Sequence, residues 1–186
     1  MISYSQTDIF EQCQMKYFFR YVEGLKVIEA YEADDPRVLG HALHKGIEKD
    51  VNTAIHDYFM TFPVIDQAHV NESIKLEYLI PKAQDLLPKG HYEVRIQNDW
   101  FQGFLDLIVP CTKHDDELPH GLYDLYDFKY SNNVDKYMES RQLHVYKYMY
   151  NSNKKARIFS LQFLTFFTFC PCLKWQTREK MLNLIV

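Results

Sequence analysis

GLYDLYDFKY, residues 121–130, is the stretch that decides how this chain is read. Its spacing predicts a strand from Leu122 to Tyr130. Alternate residues of a strand share a face, so Asp127 and Lys129 point one way and Tyr126 and Phe128 the other. A carboxylate and an ammonium then lie side by side on one surface. Taken alone, a D-x-K triplet is more often an ordinary ion pair at a sheet edge than a site.

Just upstream, GFLDLIV (residues 103–109) sets Asp106 in the middle of an apolar strand predicted from Gln102 to Val109. A carboxylate there is costly unless it is paired or bound to a metal. Two such Asp on neighbouring strands predict a hard-cation site. Mg²⁺ takes oxygen ligands at about 2.0–2.1 Å and keeps waters for substrate phosphates. Lys129 beside it can hold the attacking water or stabilise phosphate charge. The preceding strand, Tyr92–Gln97, turns at Asn98-Asp99. Glu93 joins the face of Asp106 if that loop holds two or four residues, and leaves it if the loop holds three. Both registers fit the sequence.

Further out the period is helical. Ser5–Tyr21 reads as a helix capped by Ser5, and Leu39–Phe59 as a second, with Leu39, Leu43, Ile47, Val51, Ile55 and Tyr58 in one stripe. Glu72–Leu87 reads as one or two short helices broken at Pro81. Asp135–Tyr150 is a helix, Ala156–Phe169 a long buried strand, and Gln176–Val186 an amphipathic helix. Cys111–Gly121 is a polar loop. Helices, a strand group, then helix, strand and helix predict an α/β domain with a mixed sheet covered by helices. No linker or repeat divides residues 1–186, and the chain stops inside the apolar run LNLIV, as expected of a domain shortened at its C-terminus.

Composition narrows the function classes. The chain has 186 residues, 47% of them apolar, which excludes a disordered chain. Its net charge of −4 excludes a basic coat, so nucleic-acid contact needs a local patch. The six Gly form no phosphate-cradling loop motif. The N-terminus lacks a signal-peptide pattern, and the most apolar stretch, residues 158–173, is too short and interrupted to span a membrane. Four Cys read as reduced thiols, so the cytoplasm is the expected compartment. His41 and His44 make an H-x-x-H pair, but no partner is spaced to complete a tetrahedral zinc site. The other His, at 56, 69, 91, 114, 120 and 144, read as surface residues.

Five short motifs follow one another: an S-x-S helix (Ser3, Ser5), G-x-x-x-H on a helix (Gly40, His44), G-x-x-D on a strand (Gly103, Asp106), D-x-K on a strand (Asp127, Lys129) and Q-x-x-x-Y on a helix (Gln142, Tyr146). This order resembles the PD-(D/E)XK nuclease superfamily in its RecB-like, phage-type exonuclease branch. The resemblance implies a restriction-endonuclease-like core and metal-dependent hydrolysis of DNA. It implies that Asp106 and Asp127 bind Mg²⁺ or Mn²⁺, with the Phe128 carbonyl as an extra ligand and His44 at the metal or its water shell. Lys129 then serves the attacking water. Glu93 is a looser match to an acidic residue on the preceding strand. Gln142 and Tyr146 hold DNA beside the site, and Lys16 and Arg20 lie in an N-terminal segment expected near the DNA. For Ser3, Ser5, Lys16, Tyr17 and Arg20, capping and packing are the competing roles. Some relatives bind an iron–sulfur cluster through one N-terminal and three C-terminal Cys. Cys13, Cys111, Cys170 and Cys172 lack that spacing, so no cluster is expected. DNA is the expected partner, together with a recombination protein or helicase; the oligomeric state is not legible. The competing reading is a catalytically inactive DNA-binding or assembly module on the same fold.

Overall fold

The computed structural model describes residues 1–27, 30–111, 122–130, 140–153, 157–166 and 174–177. Its elements are α1 (Tyr4–Gln12), α2 (Gln14–Tyr17), a π-helical turn (Phe18–Val22), α3 (Pro36–Glu48), α4 (Val51–Met60), α5 (Gln67–Leu86), β1 (His91–Gln97), β2 (Gln102–Pro110), β3 (Leu122–Tyr130), α6 (Gln142–Asn153), β4 (Arg157–Phe166) and β5 (Lys174–Thr177).

The five strands form one sheet in the order β1-β2-β3-β4-β5. Only the β3–β4 pair is parallel; the other pairs are antiparallel. Parallel neighbours need a crossover, and α6 lies within it. Helices α3, α4 and α5 bury Leu39, Leu43, Ala54, Tyr58, Leu76 and Ile80 against Leu107, Val109, Tyr126, Phe128 and Tyr130 of the sheet. Leu143, Tyr146, Met149 and Tyr150 of α6 close a second apolar cluster with Ile96, Leu105, Ile108 and Leu125. The result is the expected mixed sheet flanked by helices. No described helix is long and apolar enough to cross a membrane.

Several helix boundaries differ from the sequence expectation, each for a local reason. The first helix is capped by Ser3, not Ser5: the Ser3 side chain accepts from the Gln6 N–H and the Gln6 side chain accepts from the Ser3 N–H. It also breaks at Cys13, whose backbone is extended (φ −163°, ψ 107°). The predicted Leu39–Phe59 helix is two helices. Asp50 is extended and caps α4 by accepting from the Thr53 N–H at 2.9 Å. Pro81 does not break α5, although an interior proline costs about 3 kcal/mol. Buried Leu76, Ile80 and Ala83 hold the helix, and exposed Glu77, whose carbonyl loses its donor, faces water. Gln176 and Thr177, expected in a helix, belong to β5, which pairs with β4. The rest of that predicted helix, Cys170, Cys172, the Asp135 end of the helix before β4 and most of the Cys111–Gly121 loop lie outside the described residues. His69, expected on the surface, is partly buried against Phe62 and bonds the Asp66 cap of α5 at 2.7 Å.

Candidate metal centre

The site forms where two strands stop pairing. The β2–β3 ladder runs from Pro110↔Tyr123 to Leu107↔Tyr126. Beyond it, the Phe128 N–H donates to Asp106 Oδ2 at 2.7 Å. A side-chain carboxylate thus takes the place of a main-chain acceptor, which answers the cost of an Asp in an apolar strand.

The β1–β2 loop holds four residues, 98–101, because Gln97 pairs with Gln102. The flanking pairs Tyr92↔Leu107 and Val94↔Leu105 set Glu93 across from Asp106, as the four-residue case requires. Glu93 has φ 48°, a left-handed conformation that costs a non-glycine residue roughly 1–2 kcal/mol. Strain of this kind persists only where the surroundings enforce it.

His44 arrives from the other side, on α3. Asp35 caps that helix by accepting from the Arg37 N–H at 2.8 Å, and Pro36 occupies its first turn. His44 Nε2 lies 2.8 Å from the Phe128 carbonyl oxygen. A carbonyl only accepts, so Nε2 carries the proton and Nδ1 keeps its lone pair. Nδ1 faces Asp106 Oδ1 at 3.8 Å. Burial, then the charge of Lys129, holds the imidazole pKa below its usual value, so the ring stays neutral. A neutral imidazole with its far N–H anchored to a carbonyl is the form that ligates metals.

Ligand atoms of His44, Glu93 and Asp106 all lie within 4.8 Å of one another. Two carboxylates and one imidazole suit a hard or borderline divalent cation. Burial, then the Asp127 charge, pushes the Asp106 carboxyl up to about 8. Cation binding relieves that repulsion. Asp127 is buried, and its Oδ2 pairs with Lys129 Nζ at 2.7 Å. Burial pulls the Lys129 pKa down, but Asp127 and Asp106 outweigh it, and the net shift is upward. Lys129 is therefore a fixed cation at neutral pH, not a base.

Over residues 1–168 the chain matches the family model of the PD-(D/E)XK nuclease superfamily. It belongs to that superfamily. A comparison with the curated proteins gives no match. PD-(D/E)XK nucleases use divalent metals, and the His44, Glu93 and Asp106 group offers such a site here.

In this PD-(D/E)XK chain the Phe128 carbonyl, expected as a metal ligand, accepts the His44 hydrogen bond. Gln142 and Tyr146 of α6 lie one turn apart, and Gln142 Nε2 donates to the Tyr146 hydroxyl at 3.2 Å. The Tyr146 ring is buried and packs directly on Gly103. Lys16 and Arg20 are not at the metal centre. They are exposed on α2 and the π-helical turn and line a separate cleft.

A cleft of about 660 Å³ opens over the centre, lined by His44, Glu93, Phe128, Lys129 and Tyr130, and along α3 by Arg37, His41 and Lys45. Starting the second helix at Leu39 leaves Arg37 out of that row. The Asp35-Pro36 cap signature marks the true start, and the i, i+4 spacing of Arg37, His41 and Lys45 then puts them on one face.

Proposed function

We propose that this protein is a metal-dependent deoxyribonuclease of the RecB-like, phage-type exonuclease branch, serving recombination, repair or phage DNA processing in the cytoplasm. One observation carries the reading. The main chain of Phe128 holds both His44 and Asp106, within 4.8 Å of Glu93 and next to a protonated Lys129. The order of the five motifs along the chain supports the branch.

Asp106, with Glu93 and His44 Nδ1, would hold the cation, and Asp127 adds negative charge from the adjoining strand. Mg²⁺ or Mn²⁺ at these residues would supply positive charge to the scissile phosphate and make the attacking water more acidic. Lys129 keeps its proton. It therefore orients the water and offsets charge growing on the phosphoryl oxygens, the role of a preorganised electrostatic group. Arg37, His41 and Lys45 face the strand backbone along α3. Gln142 and Tyr146 approach the DNA from the opposite side of the sheet edge.

Incubation with end-labelled single- and double-stranded DNA tests this. Cleavage with Mg²⁺ or Mn²⁺, stepwise from an end and absent in EDTA, is the expected result. DNA binding without cleavage under either metal identifies the inactive binding module instead.

A further inference from the structure

The β1–β2 hairpin rotates about its own axis at the metal centre. Tyr92 and Leu107 pack against the core of α3, α4 and α5, but Val94 and Leu105 belong to the cluster under α6. Residues two apart on a regular strand share a face, so a rotation falls at the step between them, which carries Glu93 and Asp106. The left-handed φ of 48° at Glu93 provides it. Beyond that step Val94, Ile96 and Leu105 turn to α6. The intervening Arg95 and Phe104 turn to the side from which α3 brings His44. They are partners across the ladder. Both are exposed, Phe104 at 50%. One same-face step, about 6.8 Å, separates them from Glu93 and Asp106.

The pair is held in place. The Arg95 guanidinium donates to Gln102 Oε1 at 3.0 Å. The loop beyond is tied by the Asn98 side-chain oxygen, which accepts from the Trp100 and Phe101 N–H groups at 3.1 and 2.8 Å. Arg95 forms no ion pair among the described residues. An aromatic face beside an unpaired cation, one step from a centre suited to a phosphodiester, matches one nucleotide: ring to base and guanidinium to phosphate. An apolar peptide would use the ring and leave the guanidinium without an acceptor. A base inside a duplex is covered on both faces, so the ring needs an unpaired one. We propose that Phe104 stacks on an unpaired base next to the scissile phosphate and that Arg95 takes the neighbouring phosphate. This rests on the nuclease reading and adds to it the pair that sets the register of the strand over the metal.

The test uses the full chain and two readouts. In EDTA, wild type should bind a labelled oligothymidylate on the order of tenfold more tightly than an abasic strand of equal length. Phe104→Thr keeps a strand-forming residue and removes the ring, so it should erase most of that gap, while Phe104→Trp should keep it. Arg95→Gln should flatten the plot of log affinity against log salt by about 0.7, the share of one phosphate in a single strand. With Mg²⁺ or Mn²⁺, a strand carrying one abasic nucleotide should be cut on the order of tenfold more slowly at the bond beside it than elsewhere. Phe104→Thr should cut all bonds of that strand at similar rates. Both side chains are exposed, and thermal unfolding confirms that each variant is folded. A folded Phe104→Thr that keeps the full gap between the two strands overturns the proposal. So does an unchanged salt slope in Arg95→Gln, or an equal loss of both strands in Phe104→Thr. A gap seen in wild type and lost in Phe104→Thr, without cleavage under either metal, removes the nuclease reading and leaves the base assignment standing. Cleavage by wild type with an unaltered gap in Phe104→Thr does the reverse.

Discussion

Gly103 and Tyr146 are in contact because one of them has no side chain. A Cβ at Gly103 would sit 2.6 Å from Cε1 and 3.0 Å from Cζ of the Tyr146 ring. The first residue of the G-x-x-D motif is thereby the seat of the last residue of Q-x-x-x-Y. Gly103→Ala must displace a ring that is 7% exposed in a packed cluster. Overpacking of this kind costs about 1–3 kcal/mol. The expected result is that loss, measured by denaturant unfolding, with cleavage falling further than Mg²⁺ affinity. Tyr146→Phe keeps the ring and removes only the hydroxyl that accepts from Gln142, so it should cost less than about 1.5 kcal/mol. Gly103→Ala with unchanged stability would mean that the ring has room to move.

Asp106 should make the metal-free protein pH-sensitive. Its folded carboxyl is raised to about 8 from the ordinary 3.8, by burial and then by Asp127. Between those values the unfolded chain gives up the proton and the folded chain keeps it. Stability from this group is therefore present below about pH 4 and lost as pH rises to about 8. In EDTA at pH 8, Asp106→Asn should melt several degrees above wild type, and the gap should close on acidification. Mg²⁺ should raise the wild-type Tm more at pH 8 than at pH 6, because the ion displaces the proton, and should leave the variant unmoved. An apo variant less stable than wild type at pH 8 would contradict this account.

Lys129→Met keeps the aliphatic stem and removes the charge paired with Asp127 at 2.7 Å. Turnover should fall on the order of 10²–10³-fold. Mg²⁺ affinity should hold or rise, since a competing cation has gone. A cleavage assay and a metal titration on one preparation check both halves. Unchanged turnover would reduce Lys129 to an ion pair.

Glu93→Gly separates strain from ligation. Glycine adopts φ 48° without penalty, and its greater freedom when unfolded offsets about 0.4–1 kcal/mol of that gain. The metal-free Tm should stay level or rise slightly, while the Mg²⁺-induced shift shrinks. A clear drop in metal-free Tm would show that the Glu93 side chain supports the fold.

The strands of the core, the mixed sheet and the pairing of Asp127 with Lys129 were legible because period-2 alternation fixes which side chains share a face. The side of Glu93 was not, because it hung on one loop whose four residues, 98–101, carry no turn signature that fixes their number. Helix ends were missed where a cap competes with a continuous apolar stripe. Asp50 interrupts a stripe running from Leu39 to Tyr58, and periodicity passes over it. The hydrogen bond from His44 to Phe128 spans 84 residues and involves a main-chain oxygen, which residue types alone do not specify.

Phe128 gives up its amide hydrogen to Asp106 and its carbonyl oxygen to His44. Both groups belong to one residue, so the gap between the two ligands is gauged by covalent bond lengths, as by a jig. Side-chain replacement at position 128 leaves that gauge intact so long as β3 keeps its path. A shift of β3 along its own axis would carry both ligands' anchors away together. The centre therefore depends on the path of β3 as well as on the Asp127 and Lys129 side chains that the strand carries.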